Sequence, residues 1–437
     1  MESFAMIVQF VLGLSIIVGL HELGHLLFAK LFGMRVESYA IGFPPKLVRY
    51  QWGETEYSIG TIPLGGAVKI AGMIDESLDT ESLASTPQPW EFRAKPAWQR
   101  LVVMLGGILF NILSGIIIYT IVSFALGDTY LPQQEVNQHG IVPNAVGSSL
   151  GFQEGDKIIN ISGRAFERFS DVLQPYTLLE KNGYYTVLRA GQEIRIDIPT
   201  DLVERLSDPK EQGLFVTPRA PFTIGQVQQH SGADQAGLQP GDQIFEVAGQ
   251  ETIYFHQLQE VLTNNAGRQV LICYVRAGTP QTTMAEVNAV GKLGFQPNML
   301  LTYKTSTYNI GQAMVVGTLR TFDVIRTHVV ALGKVLTGQL SPAKSLSGPI
   351  GIVQVFGKSF DWLPFWNITG FLSLALALTN LLPIPALDGG HALWIVYEMI
   401  TGRKLSDRFL ATAQKIGMGI LLFLISYTII NDLYKLW

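Results

Sequence analysis

The chain has 437 residues, of which 48% are hydrophobic and 15% are charged, well below the roughly 25% of charged residues in ordinary soluble domains. This composition argues against a soluble or disordered protein and predicts membrane-spanning helices. The formal net charge of −4 gives no basis for binding nucleic acid. The single cysteine, Cys273, excludes an intrachain disulfide and a cysteine-based metal cage, so any metal site must use His, Asp or Glu.

Four long apolar stretches come close to the roughly 20 residues that cross a bilayer. They occupy residues 4–32, 101–126, 363–387 and 416–430. The first lacks a basic leading region and a small-residue cleavage site, so we expect a permanent span and not a signal peptide. The sequence therefore predicts a polytopic α-helical membrane protein with four transmembrane helices.

Lys and Arg are concentrated in the loops between spans one and two and between spans three and four. These residues are Arg35, Lys46, Arg49, Lys69, Arg93, Lys95 and Arg100 in the first loop, and Arg403, Lys404 and Arg408 in the second. Because short cytoplasmic loops carry an excess of Lys and Arg, we expect both loops to be cytoplasmic. Both termini and the segment at residues 127–361 are then expected outside.

The first span contains the sequence His21-Glu22-Leu23-Gly24-His25. Two histidines four residues apart lie on one helix face and can bind one Zn²⁺, with Glu22 placed to take a proton from an attacking water. The alternative is that His21, Glu22 and His25 are polar residues of a protein core whose hydrogen bonds are made within the protein. A charged residue at the membrane centre costs about 2.5–3.5 kcal/mol, which favours a metal site.

The loop after the first span contains Pro63 and Gly65-Gly66 within residues 57–70, which predicts a short hairpin. An ordinary surface hairpin and one whose edge strand pairs with an unwound peptide both fit. In the second span, Asn111 follows Gly107 by four residues. Its amide can donate to and accept from a peptide, or the pair can mark close helix packing through Gly107.

The segment after the second span contains an internal repeat, because residues 150–158 recur as residues 236–244. Both copies have Gly-Asp followed by alternating apolar residues, which is typical of a tight turn that leads into a strand. One interpretation is that the two segments are a generic repeat of β-turns. Two copies in matching context also resemble PDZ domains, which bind extended peptides at a sheet edge. Residues 212–215 and 293–295 loosely resemble the peptide-docking loop of that family.

Apolar residues recur at helical spacing between residues 309 and 340. They are Val315, Leu319, Phe322, Ile325, Val329, Leu332 and Leu336. Charged residues interrupt this pattern, so the segment is a poor membrane span. We expect an amphipathic helix that lies in the membrane interface or packs on the repeated domains.

The third predicted span contains candidates for a further zinc ligand. A catalytic zinc site usually has three protein ligands, and Asp388 and His391 both have ligand chemistry. Asp388 can instead be a turn residue before the two glycines that follow it. At 1.5 Å per helical residue, His21 and Asp388 both fall in the cytoplasmic half of a roughly 30 Å apolar core. Pro383 and Pro385 would break the helix just before Asp388 and free carbonyls near the metal.

The HExxH motif in the first span, together with N-x-x-P-x-P-x-L-D-G-G-H at residues 380–391, resembles the site-2 proteases, the intramembrane zinc metalloproteases. Four spans with tandem PDZ domains between the second and third resemble a bacterial branch of this family, over nearly the whole chain. The resemblance implies a zinc endopeptidase that hydrolyses peptide bonds within the transmembrane segments of single-span membrane proteins. It also implies one Zn²⁺ per chain.

The resemblance also implies roles for individual residues. It makes Asp388 the third ligand beside His21 and His25, with Glu22 as the catalytic residue. Asn380 is assigned to substrate handling, and the spacing of Gly107 and Asn111 matches a pattern of the family's second span. The predicted substrate-binding residues are Asn111, Asn380, Pro383 and Pro385. In the family, the loop that corresponds to residues 57–70 dips into the membrane as β-structure.

The implied substrates are an RseA-like anti-sigma factor of envelope stress signalling and remnant signal peptides. We expect a multi-pass protein of the bacterial inner membrane, in contact with the lipid bilayer, with periplasmic termini and an active site toward the cytoplasm. The alternatives are a non-catalytic scaffold that displays PDZ domains, which leaves Glu22 unexplained, and a metal transporter, which would need a polar path across the bilayer.

The predicted domain order follows from these features. Spans one and two with the HExxH motif occupy residues 1–126, extracytoplasmic α+β PDZ domains occupy 127–220 and 221–305, an amphipathic helical linker occupies 306–362, and spans three and four with the LDG motif occupy 363–437.

Overall fold

A computed structural model of the protein describes residues 2–73, 86–206, 214–345 and 347–436. The chain divides into two units. The membrane unit is Met1–Asp128 with Thr307–Trp437, and the inserted unit is Thr129–Ser306. Each unit is described by itself. Gln212 and Gly213, which belong to one predicted peptide-docking loop, lie outside the described residues.

The helices and strands follow one another in this order. The helices are α1 Glu2–Leu31, α2 Ala97–Leu126, α3 Gln133–His139, α4 Ala145–Leu150, α5 Pro175–Leu178, α6 Leu202–Leu206, α7 Gly232–Gln235, α8 Phe255–Asn264, α9 Ile310–Leu336, α10 Pro342–Ser345, α11 Pro349–Val355, α12 Trp362–Leu381, α13 Asp388–Thr401 and α14 Asp407–Leu436. The strands are β1 Val36–Trp52, β2 Thr55–Ile70, β3 Asp128–Tyr130, β4 Ile141–Pro143, β5 Lys157–Ile161, β6 Tyr184–Arg189, β7 Gln192–Asp197, β8 Val216–Pro218, β9 Phe222–Val227, β10 Gln243–Val247, β11 Gln250–Glu251, β12 Gln269–Arg276, β13 Thr279–Glu286, β14 Phe295–Met299 and β15 Lys304–Ser306.

Among the described residues, four helices are long and apolar enough to cross a membrane: α1, α2, α12 and α14. The first two lie close to their predicted positions. The third is shorter than predicted, because α12 ends at Leu381 and a new helix, α13, starts at Asp388. Pro383 and Pro385 lie in the break, and the lack of a backbone N–H on proline explains it. The fourth begins before the predicted residue 416, since α14 also includes a polar first turn.

The loop after α1 forms a more complex sheet than the predicted hairpin at residues 57–70. Strands β1 and β2 both double back on themselves. Residues 38–41 of β1 therefore lie between residues 56–59 and residues 66–69 of β2, while residues 48–52 pair with the outer side of residues 55–59. The part of β2 at residues 66–69 forms one edge of this sheet. The sheet also contacts the first helix, because the Tyr39 hydroxyl donates a hydrogen bond to the Gly19 carbonyl of α1 at 2.8 Å.

Helix α9 packs along two of the spans. Its fully buried residues recur every four positions and are Ala313, Gly317 and Thr321. A Cβ on Gly317 would lie 2.5 Å from the backbone nitrogen of Thr120 in α2. The His328 ring lies 4.5 Å from the Phe371 ring of α12. Neither predicted position, in the membrane interface or on the repeated domains, included this packing on the spans.

The inserted unit contains two separate hydrophobic cores. One core lies among residues 136–216 and the other among residues 222–293. The sheets are β5-β6-β7, β11-β10-β12-β13, β14-β9, β4-β8 and β15-β3. The two cores lie on either side of residues 220 and 221, and the assignment of two separate domains there stays a prediction.

The sequence repeat also appears as a repeated ion pair. Asp156 is buried and paired with Arg189, and its carboxylate also accepts from the backbone N–H of Gln153. In the second half, Asp242 pairs in the same way with Arg276 and accepts from the backbone N–H of Gln239. The Asp of each Gly-Asp turn therefore joins its turn to a strand far along the chain.

Candidate metal centre

Three side chains of metal-ligand type meet where α1 approaches the start of α13. The Nε2 atoms of His21 and His25 lie 3.3 Å apart. Oδ2 of Asp388 lies 3.1 Å from the first and 3.3 Å from the second. His21 and His25 are buried and Asp388 is nearly so. Within the described residues, this is the cluster of His, Asp or Glu side chains that fits a metal ion, and His391 does not belong to it.

The separations of the three ligand atoms fit tetrahedral zinc. Zinc–nitrogen and zinc–oxygen bonds of about 2.0–2.1 Å place neighbouring ligands of a tetrahedron roughly 3.3 Å apart. Asp388 Oδ2 is buried and accepts no hydrogen bond from any described residue. An unpaired buried carboxylate oxygen is costly, and a cation bound there would remove that cost. The residues present therefore fit a zinc ion.

The tautomer of His25 follows from its backbone contact. Its Nδ1 lies 2.8 Å from the carbonyl oxygen of Val103 in α2. A carbonyl can only accept, so Nδ1 carries the proton and donates it. Nε2 is then left with a free lone pair that faces His21 and Asp388. Nothing in the sequence pattern identified Val103, because any residue can supply a carbonyl.

The amide of Asn111 contacts the other histidine. Its Nδ2 lies 3.2 Å from Nδ1 of His21, while its Oδ1 is buried and has no partner among the described residues. If the amide is turned over, Oδ1 accepts from Nδ1–H of His21, and the unpaired oxygen is satisfied. Nε2 of His21 then keeps its lone pair for a metal. This orientation makes Asn111 a positioning residue for His21. Its predicted contact with substrate stays a prediction.

Asn380, at the end of α12, reaches the same histidine from the other side. Its Nδ2 lies 3.0 Å from Nε2 of His21. A metal on Nε2 would displace this hydrogen bond, because a nitrogen lone pair cannot serve both. The amide would then be free for another partner beside the metal. Pro383 and Pro385 lie between Asn380 and Asp388 and separate the two helices that carry them.

Glycines allow α1 and α2 to approach closely enough to form the cluster. A Cβ on Gly24 would lie 2.2 Å from the carbonyl oxygen of Gly106. A Cβ on Gly107 would lie 2.5 Å from both Cε1 of His21 and Nε2 of His25. Real Cβ atoms do not occur at such distances, so Gly107 provides space for the two rings. The predicted role of Gly107 in close helix packing is consistent with this approach of α1 to α2.

The side chain of Glu22 lies between the body of α1, to which it belongs, and the sheet formed by β1 and β2. A Cβ on Gly66 of β2 would lie 2.8 Å from Cγ of Glu22. Tyr39 of β1 is close as well, since burial and then the negative charge of Glu22 raise the pKa of Tyr39 to about 12. The phenol therefore stays protonated at neutral pH. Tyr39 could not be identified from the sequence, where its only signal is its position in a strand-like stretch.

Comparisons with known proteins show which family the sequence resembles. The model of the family described as Peptidase family M50 matches residues 9–424. The regulator of sigma-E protease RseP of Salmonella typhimurium is 30% identical over 451 residues, which cover 98% of this chain and 98% of that protein. RseP of Escherichia coli is 30% identical over 458 residues, with 98% of each chain covered. A Neisseria meningitidis protein with the provisional name of a zinc metalloprotease is 26% identical over 458 residues, covering 98% of this chain and 99% of that one.

Proposed function

Because the chain belongs to peptidase family M50 and is a zinc metalloendopeptidase of the site-2 protease type, we propose that it hydrolyses peptide bonds within the transmembrane segments of single-span membrane proteins. The observation that supports this proposal is the position of the ligand cluster. Two of its members lie inside α1, a helix of membrane-spanning length, and the third follows α12. Family membership favours this function over a non-catalytic scaffold and over a transporter.

The names of the relatives support a signalling role. Two of them carry the name regulator of sigma-E protease RseP. We therefore infer an RseA-like anti-sigma factor as substrate, together with remnant signal peptides. The protein is a multi-pass membrane protein, and we place its termini in the periplasm and its active site toward the cytoplasmic side of the bacterial inner membrane.

Each residue of the centre has a part in the proposed reaction. His21, His25 and Asp388 would hold one Zn²⁺, which when bound would supply Lewis-acid chemistry that lowers the pKa of a water and polarises a carbonyl. Glu22 is the general base. Glu22 takes the proton of the attacking water and returns it to the leaving amine, so that the peptide bond breaks without net consumption of protons by the enzyme.

The edge of the doubled-back sheet supports a way to hold the unwound substrate. Residues 66–69 of β2 pair with β1 on one side and with no described strand on the other. An extended peptide added at this edge satisfies its backbone there and passes beside Glu22, because Gly66 lies against Glu22. Asn380 then binds the substrate near the metal.

We propose PDZ domains for the two halves of the inserted unit, at residues 127–220 and 221–305. The second half has a cavity of about 360 Å³ between α8 and β14. Leu258 and Leu262 line it from the helix and Phe295 from the strand, and Leu293-Gly294 lies in its lining as well. These features support the prediction that residues 293–295 belong to a peptide-docking loop.

Substitution of Glu22 by Gln tests the general base. The variant keeps the shape of the side chain but cannot accept the proton, and loss of a general base typically costs about 10²–10⁴-fold in rate. We expect that loss in cleavage of a membrane-spanning substrate, with full zinc content in the same preparation. Glu54→Gln, at an exposed ion pair with Lys30, is the matched control. Near-normal cleavage would remove Glu22 from the mechanism, and loss of zinc would make its role structural.

A second experiment tests the third ligand. Asp388→Ala removes one of three ligands and should lose most of the bound zinc, as measured by elemental analysis. His391→Ala, one helical turn further along α13, should keep it, because His391 lies outside the cluster. The assignment is wrong if the two variants show the opposite pattern.

A further inference from the structure

A polar cavity lies apart from the metal centre, between the segment that precedes α2 and the helices α13 and α14. Its volume is about 120 Å³, whereas a single water needs about 10–15 Å³ of such space. The cavity therefore has room for a polar group and several waters. Phe92, Trp394 and Leu410 contribute apolar walls. All of these elements belong to the membrane unit.

The charges around the cavity leave one cation uncompensated. Arg100, Arg93, Lys404 and Glu398 line it. Arg100 donates to Glu398 at 2.6 Å, and Arg93 donates at 2.6 Å to a second carboxylate, Glu91, which lies outside the lining. Lys404 donates to a backbone carbonyl at 3.3 Å and has no carboxylate within ion-pair distance in the described part of the chain. Among the residues that the structure describes, three cations and two carboxylates leave one positive charge.

A buried amide also faces the cavity. Gln414 of α14 lines it and is only 3% exposed. Its side-chain amide makes no hydrogen bond to any described residue. An unpaired amide inside a protein costs about 1–3 kcal/mol, so a ligand that hydrogen-bonds to Gln414 would be stabilised here. The amide can donate to an anion and the ammonium of Lys404 can neutralise it.

We propose that this cavity binds the phosphodiester head group of an anionic phospholipid with a single negative charge, such as phosphatidylglycerol, from the cytoplasmic leaflet. Basic cavities between membrane helices on the cytoplasmic side are suited to anionic head groups. Exposed apolar side chains lie on the same two helices: Phe409 of α14 is 46% exposed and its ring lies 5.4 Å from that of Trp394, which lines the cavity, and Ile400 of α13 is 80% exposed. That surface suits acyl chains and favours a lipid over a free phosphate. The proposal rests on the proposed membrane orientation.

Native mass spectrometry of the purified full-length protein in detergent tests the proposal. Phosphatidylglycerol and phosphatidylcholine are added separately at equal mole fraction, and retained lipid is counted. We expect preferential retention of phosphatidylglycerol. Lys404→Gln and Gln414→Leu should each reduce it about tenfold, the effect of one lost charge-assisted hydrogen bond. Arg403→Gln removes the same charge from the neighbouring residue, which does not line the cavity, and should leave retention unchanged.

The zinc content of every variant reports whether the membrane unit is folded. Because Lys404 is exposed, its variant keeps the test valid even if Gln414→Leu does not fold. Equal retention of the two lipids, or equal retention by Lys404→Gln and Arg403→Gln, would overturn the proposal. Displacement of the lipid by excess inorganic phosphate would also overturn it, since the site would then recognise free phosphate.

Discussion

The amide of Asn111, once turned over, would determine which nitrogen of His21 can bind a metal. With its oxygen toward His21 it fixes the proton on Nδ1, just as the Val103 carbonyl does for His25. The two histidines are thus oriented by different groups, a side chain in one case and the backbone in the other. Substitution of Asn111 can therefore weaken zinc binding without any direct contact with the metal.

At the same scale, Gly107→Ala should abolish zinc binding. The added methyl would lie 2.5 Å from atoms of both His21 and His25, and the helices cannot separate easily because Gly24 and Gly106 are also in contact. We expect loss of zinc and of cleavage with normal membrane insertion. Gly419→Ala, in α14 with nothing within 4 Å of the new methyl, is the control and should retain both. Full zinc in Gly107→Ala would show that the rings can move aside.

The three side chains that meet in the cluster could be predicted from the sequence, because zinc chemistry requires few residue types at fixed spacing, and zinc binding by them stays a prediction. His21 and His25 four residues apart define one helix face, and the structure brings Asp388 beside them. The Val103 carbonyl and the edge at Gly66 could not be predicted, because backbone groups carry no residue-type signal. The orientation of the Asn111 amide depends on long-range packing and could not be predicted either.

Among the elements, the break between α12 and α13 shows how hydropathy can mislead. The apolar stretch continues beyond Leu381 into Ile384, so a hydropathy window extends the span, although proline ends the helix. Because of the break, α13 starts at Asp388 and is attached to α2 by its own contacts, independently of α12. The Arg100–Glu398 ion pair joins α13 to α2 at 2.6 Å.

The partner of each Gly-Asp turn, Arg189 or Arg276, was likewise not predicted, because the pairing spans more than thirty residues.

The Asp242–Arg276 pair predicts how the second half of the inserted unit responds to acid. Burial raises the pKa of Asp242, but hydrogen bonds from Arg276 and the Gln239 N–H outweigh it and hold the pKa below its usual value. The pair therefore stabilises the fold above the unfolded pKa of about 3.9, and this stability is lost as the pH falls through the lower folded pKa.

We expect Arg276→Ala to destabilise this half by about 3 kcal/mol at neutral pH, since it leaves the 1% exposed Asp242 carboxylate unpaired. Hydrogen exchange of β10, β12 and β13 in the full-length protein measures the effect. The difference from the wild type should begin to shrink below about pH 4, where the unfolded carboxyl becomes protonated, and should continue to shrink as the pH falls through the lower folded pKa of Asp242. Arg268→Ala, at an exposed position, should change nothing. A difference that persists in acid would contradict the ion-pair explanation.

For the whole molecule, the division into two units predicts that the metal centre does not need the insert. All three ligands lie in the membrane unit, and its two chain segments meet where the Tyr308 hydroxyl donates to Asp128 at 3.2 Å. Replacement of residues 129–306 by a short Gly/Ser linker should leave about one zinc per chain, as measured by elemental analysis. The same deletion with His21→Ala should lose it. Absence of zinc from the first protein would show that the insert is needed for folding.

The contact between Asp128 and Tyr308 has a consequence for how this architecture can evolve. When the two ends of an insertion leave a host structure side by side, the host accepts any domain whose own termini are close together. Duplication within the insert adds length without moving either attachment point. The repeated Asp–Arg pairs are what such a duplication would leave behind, and gain or loss of a copy would leave the residues of the metal centre, which all belong to the membrane unit, in place.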